Sequence, residues 1–137
     1  MELADTSAWT NRHKNPAVLA DFESRLIAGR IATCPIVRLE LLWSTRDGCE
    51  FRGRRTRLTA LTDIAIGPRE WDRATDVFAF LADAGPLHHR RVALPDLLVA
   101  AAAELAGMPV CHYNRDFDVI AEITGQPLRA IAPLGSL

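Results

Sequence analysis

The chain has 137 residues, 49% of them hydrophobic, with a formal net charge of −1 and three cysteines. That length and apolar content suit one domain, residues 1–137, with a core of its own, and exclude a disordered polyelectrolyte or a disulfide-stapled miniprotein. No apolar run approaches the ~18 residues of a membrane span. Cys34, Cys49 and Cys111 are odd in number and lack Cys-x-x-Cys spacing, and MELADTSAW has no basic region leading into an apolar run, so a reducing, cytoplasmic setting is expected.

Met1 to Asp5 reads as a short buried strand running into a helix cap at Asp5-Thr6-Ser7. Pro16 to Arg30 is predicted helical: a proline opens the first turn, Val18, Leu19, Phe22, Leu26 and Ile27 recur at helical spacing, and Gly29 stands near the end. Ile31-Ala32-Thr33 reads as a second strand. Pro35 then opens a helix reaching Thr45, broken by Asp47-Gly48. Glu50 to Leu61 patterns as an amphipathic helix with a basic face of Arg52, Arg54, Arg55 and Arg57, and Ile64-Ala65-Ile66 is a third short apolar run. Pro68 begins a helix with Trp71, Ala74, Val77, Phe78 and Leu81 on its inner face, ending near Gly85-Pro86, and a basic loop, His88-His89-Arg90-Arg91, follows. Leu94-Pro95-Asp96 opens an alanine-rich helix to Ala106. Pro109 to His112 is a fourth strand, and Asp116 to Thr124 a last helix before Leu128 to Ile131.

Apolar runs alternating with helices predict an α/β domain with a mainly parallel sheet, because parallel strands need crossover connections. Ligands in such sheets sit at the carboxyl ends of the strands, which directs attention to Asp5 and to Asn114 through Asp116. Each acid near those ends also has a structural reading. Asp5 suits a helix N-cap, and Asp96, just after Pro95, gains from the helix dipole. Capping explains one of Asp116 and Asp118, which point in different directions. Glu40 is harder to place: it shares a helix face with Ile36 and Val37, so it needs a metal ion, Arg38 or Arg46 as partner, a raised pKa, or an exposed edge. Carboxylates gathered without cations repel one another, a repulsion that divalent ions with oxygen preference relieve.

Asp5-Thr6-Ser7-Ala8, Glu40 within Val37 to Leu42, Asp96 opening an alanine-rich helix, and Asn114-Arg115-Asp116-Phe117 after a strand together resemble the PIN domain, more closely the VapC-type toxins of toxin-antitoxin pairs. The resemblance runs in order along nearly the whole chain. It implies a three-layer α/β/α sandwich and a metal-dependent endoribonuclease, the toxin of a type II toxin-antitoxin system, hydrolysing RNA with a metal-activated water. Asp5, Glu40, Asp96 and Asp116 would bind one or two Mg²⁺ or Mn²⁺ ions, with Thr6, Ser7 and Asn114 in support and Asp118 in reserve. It further implies a homodimer, a small VapB-like antitoxin whose tail covers the acids, and an RNA substrate such as tRNA or another structured RNA.

Arg52, Arg54, Arg55, Arg90 and Arg91 are candidate phosphate contacts, against the alternative of a solvated helix face and loop. Setting four of 17 acids aside as metal ligands leaves 13 against 16 bases, which suits a polyanionic partner. His88, His89 and His112 have no paired serine or cysteine, and Trp9, Trp43 and Trp71 read as core or interface. Competing readings are an inactive PIN-like interaction module, a DNA-directed metal nuclease, and a phosphatase using Asp5. The last wants an aspartate where this chain has Ser7.

Overall fold

The computed structural model describes every residue, Met1–Leu137. In chain order the elements are β1 (Glu2–Ala4), α1 (Thr6–Asn11), α2 (Pro16–Ile27), β2 (Ile31–Thr33), α3 (Pro35–Trp43), α4 (Gly48–Leu58), β3 (Thr62–Asp63), α5 (Pro68–Asp83), α6 (Leu94–Leu105), β4 (Val110–His112), α7 (Arg115–Thr124) and β5 (Leu128–Ala130), with 3₁₀ turns at Arg12–Lys14 and His88–Arg91. Prolines in the first turns of α2, α3, α5 and α6 supply fixed φ where no N–H is needed. Asn15 and Asp47 cap α2 and α4, accepting from Ala17 and Val18 and from Glu50 respectively. Gly125, at φ 67, ends α7 in the left-handed conformation that glycine adopts without steric cost.

The five strands form one sheet in the order β3-β2-β1-β4-β5, and every neighbouring pair is parallel. Register brings Leu3 beside Ala32 and Val110, and Ala4 beside Cys111. Every residue of β1, β2 and β4 is buried, so helices cover both faces of the sheet's centre and the architecture is a three-layer α/β/α sandwich. The core includes Leu3, Phe22, Ile31, Leu81, Val99, Phe117 and Ile120. Asp96 through Ala103 of α6 are all buried, and the run of alanines lets α5 and α7 pack closely against that helix. At the amino ends of the strands, buried Arg25 pairs with Glu2 and with Asp21, and Arg129 of β5 joins the same carboxylates. This network leaves the carboxyl ends to a different set of acids.

Three expectations need adjustment. The third strand is Thr62–Asp63 and the run Ile64-Ala65-Ile66 follows it; the Ile64 N–H still bonds the Thr33 carbonyl, and Ile64 and Ile66 pack on the core as edge residues. Leu128–Ala130 pairs with β4 as an exposed edge strand whose short, mixed sequence carries no alternation to announce it. Trp71 is 57% exposed and not on the buried face of α5, because the apolar stripe of that helix runs out into a surface groove shared with Ile36, Phe78, Leu94 and Pro95. Cys34 and Cys111 are buried and Cys49 is exposed, all as free thiols.

Candidate active site

Four carboxylates from four elements meet where β1 and β4 end. Asp5 is the first residue after β1 and is buried; its Oδ2 accepts from the Ser7 N–H at 2.9 Å and the Ser7 hydroxyl at 2.5 Å. It therefore caps α1 and faces the site at once. Ser7 Oγ also accepts the Tyr113 N–H at 3.0 Å, so one hydroxyl fastens the end of β1 to the end of β4. Thr6, on the same short helix, donates through Oγ1 to Glu40 Oε1 at 3.0 Å.

Glu40 lies mid-way along α3 and is half-buried. Burial pushes its carboxyl above the usual range; the Thr6 hydrogen bond opposes that rise, and the charge of Asp5 adds to it. Neither arginine that sequence offers as a partner serves it. Arg38 pairs with Asp63 at 3.0 Å and Arg46 with Glu50 at 3.1 Å, because both guanidiniums lead away from the acid's face.

Asp96 sits in the first turn of α6, 6% exposed, with Oδ2 accepting from Asn114 Nδ2 at 2.9 Å. Burial, a hydrogen bond shared with Asp116, and the charges of Asp5, Asp116 and Glu40 push its carboxyl up to about 8. The acid is thus held neutral in the absence of a counter-charge. Asp116, in the first turn of α7, accepts the Ala93 N–H at Oδ2 (2.9 Å) and donates its own N–H to Asn114 Oδ1 (3.0 Å). Asp5, Glu40 and Asp116 all act on Asp96 through their charges, and Asp5 acts on Glu40. The reserve acid, Asp118, is exposed and is not among the charges acting on Glu40 or Asp96, since two residues along a helix carry it to another face.

The histidines take no part in the cluster's hydrogen bonds. His112 is buried at the end of β4, where Nδ1 accepts the Asn114 N–H at 3.2 Å and braces the turn into α7, and burial lowers its pKa. His89 packs edge-on against Phe78, and His88 lies 3.1 Å from Arg91. Among the arginines proposed for phosphate contact, Arg54 is committed elsewhere. Its guanidinium bonds the Leu41 carbonyl at 2.6 Å, the Ser44 hydroxyl at 2.7 Å and Glu50 at 3.3 Å, closing the carboxyl end of α3 against α4. Arg52, Arg55 and Arg90 are exposed and enter no ion pair. Two partners in this site were illegible in the sequence: the Ala93 and Tyr113 N–H groups are backbone, and nothing in a side-chain pattern marks them.

None of the eight ion pairs includes Asp5, Glu40, Asp96 or Asp116, although the chain has enough bases to pair them. An all-oxygen donor set, short of positive charge and partly protonated as a result, fits a hard divalent cation. No three acidic, histidine or cysteine side chains are drawn close enough to enclose an ion directly. Ligation therefore needs side-chain rotation or bridging waters, which Mg²⁺ ordinarily retains.

The model of the PIN domain matches residues 3–123. Ribonuclease VapC18 of Mycobacterium tuberculosis is 41% identical over 133 residues, 97% of this chain and 96% of that protein. Ribonuclease VapC21 of the same species is 38% identical over 135 residues, 98% of this chain and 96% of its own length. Among solved structures, VapBC-1 from nontypeable Haemophilus influenzae aligns with TM-score 0.72 at 16% identity, covering 95% of this chain and 97% of that one, a likeness of fold. With the domain match spanning most of the chain and two relatives aligned nearly end to end, this protein belongs to the PIN-domain family, in its VapC branch.

Proposed function

We propose that the chain is a metal-dependent endoribonuclease acting as the toxin of a type II toxin-antitoxin pair. The observation that carries this reading is the uncompensated acid cluster: Asp5, Glu40, Asp96 and Asp116 converge from four elements and none of them enters an ion pair. Relatives named as VapC ribonucleases along the full chain support RNA as the polymer.

Asp5, Glu40 and Asp96 would hold Mg²⁺ or Mn²⁺, with Asp116 beside Asp96. The bound ion supplies a lowered pKa for water and charge neutralisation on the phosphodiester. The chain's own groups prepare that site. Ser7 fixes Asp5, Thr6 fixes Glu40 and Asn114 fixes Asp96, each through a hydrogen bond of 3.0 Å or shorter, so the oxygens are oriented before substrate arrives. Arg52, Arg55, Arg90 and Arg91 contact phosphates of a structured RNA such as tRNA and release counterions on binding.

A small VapB-like antitoxin and a second copy of the chain are the proposed partners. A cleft of about 620 Å³ between α1, α2, α3 and α4 is lined by Trp9, Arg12, Leu26, Leu41, Arg57 and Leu58, among others. Its apolar walls and the Arg12 and Arg57 guanidiniums suit an apolar segment that brings a carboxylate. The groove of Ile36, Trp71, Leu94 and Pro95, with exposed Leu39 and Trp43 on the same α3, suits self-association. No helix is long and apolar enough to cross a membrane.

The test is cleavage of RNA and of single-stranded DNA with Mg²⁺, Mn²⁺ or chelator, comparing wild type with Asp5→Asn and Asp96→Asn. Metal-dependent RNA cleavage lost in both variants is expected. Chelator-resistant cleavage, or full activity in both variants, would sink the proposal, and exclusive cleavage of DNA would reassign the substrate.

A further inference from the structure

We infer that Asp116 is a positioning residue: it latches the start of α6 through the Ala93 N–H, placing Asp96, and is not itself one of the groups that hold the metal. Four hydrogen bonds form a closed ring. Asp116 Oδ2 accepts the Ala93 N–H at 2.9 Å, the Asp116 N–H reaches Asn114 Oδ1 at 3.0 Å, Asn114 Nδ2 reaches Asp96 Oδ2 at 2.9 Å, and the Asp96 N–H returns to the Ala93 carbonyl at 3.1 Å. The ring joins the first turn of α7 to the first turn of α6.

The start of α6 has no side-chain cap of its own. Ala93 is its N-cap residue and has no side chain that can cap, and Pro95 has no N–H to offer. The segment leading in is a 3₁₀ turn entered through Leu87 at φ 59, a left-handed conformation that costs a non-glycine residue energy. Asp116 supplies the missing acceptor from 23 residues away. Its negative charge also has a reason independent of any ion, because the amino ends of both α6 and α7 face it. The bond to Ala93 asks only for an oxygen, and an amide oxygen serves. A metal ligand asks for the carboxylate.

That difference separates the roles. Asp116→Asn, Asp116→Ala and Asp96→Asn are compared with wild type by Mn²⁺ calorimetry, hydrogen exchange at the Ala93 amide, and steady-state cleavage of RNA. The cleavage arm rests on the nuclease reading; the other two do not. Asp116→Asn is expected to keep the Ala93 amide protected, with Mn²⁺ affinity near wild type. Asp116→Ala is expected to expose that amide and to lose on the order of 10- to 100-fold in Mn²⁺ affinity and kcat, with KM little changed. Should Asp116→Asn weaken Mn²⁺ as much as Asp96→Asn does, Asp116 is a ligand and the inference is overturned. Full activity and a protected Ala93 in Asp116→Ala overturn it equally. If the alanine variant does not fold, the two asparagine variants still decide. A wild type that binds Mn²⁺ but cleaves nothing removes the nuclease reading, while affinity and exchange still judge the latch.

Discussion

Replacing Asp96 by Asn should stabilise the chelated protein while abolishing its chemistry. The asparagine keeps the shape and both contacts, since its carbonyl oxygen accepts from Asn114 Nδ2 and its amide can donate toward Asp116. It removes a carboxyl ordinarily near 3.8 that the fold pushes up to about 8. A folded-state pKa above the unfolded value gives a contribution that is complete below about 3.8 and is lost as pH rises through about 8. At pH 7 the unfolded carboxyl has ionised and the folded one has not, about three pH units above 3.8. At about 1.4 kcal/mol per unit, the ceiling on the penalty is roughly 4 kcal/mol. The four acids share one repulsion and can move apart, so a gain of about 1–4 kcal/mol is expected for Asp96→Asn in chelator at pH 7–8, shrinking toward zero near pH 4. Urea unfolding monitored across that pH range measures it. Mn²⁺ should reverse the order, stabilising wild type by mass action and leaving the variant unmoved. A variant no more stable than wild type at pH 8 in chelator would show that burial and the neighbouring acids leave Asp96 free to ionise, and the argument for a missing cation would fail with it.

Other consequences follow from single contacts. Ser7→Ala strands the Tyr113 N–H and removes one of the two Ser7 hydrogen bonds on Asp5, so a loss of about 1–3 kcal/mol in thermal unfolding is expected together with slower RNA cleavage; unchanged stability would remove the β1–β4 fastening role. Arg54→Ala should cost about 1–3 kcal/mol and leave the salt dependence of RNA binding alone. Arg55→Ala should do the opposite, staying within about 0.5 kcal/mol of wild type in stability while reducing the salt slope by ~1. Equal slopes for both variants and wild type take α4 out of the RNA interface. Trp71→Ala with Leu94→Ala should shift self-association toward monomer in light scattering, and an unaltered mass would place the contact between copies elsewhere.

The α/β class, the order of the first two strands and of most helices, and the placing of acids at the carboxyl ends of the strands are legible in sequence because they depend on local rules. Prolines, caps and apolar periodicity act within a few residues, and a parallel sheet puts the ends of β1 and β4 together once those strands are recognised. The PIN-domain resemblance rested on side chains in order, which survive as a linear record. Tertiary structure decided what each side chain faces. Sequence alone offers Glu40 a metal ion, Arg38 or Arg46, and only packing engages both arginines with Asp63 and Glu50. Arg54 and Arg55 are neighbours of identical chemistry, yet one closes α3 and the other meets solvent, because the helix turns about a quarter-circle between them. Trp71 continues an apolar stripe whose outward end no periodicity could locate. Ala93 and Tyr113 enter the site through backbone N–H groups, which every residue but proline possesses, so their selection by Asp116 and Ser7 exists only once the chain has folded.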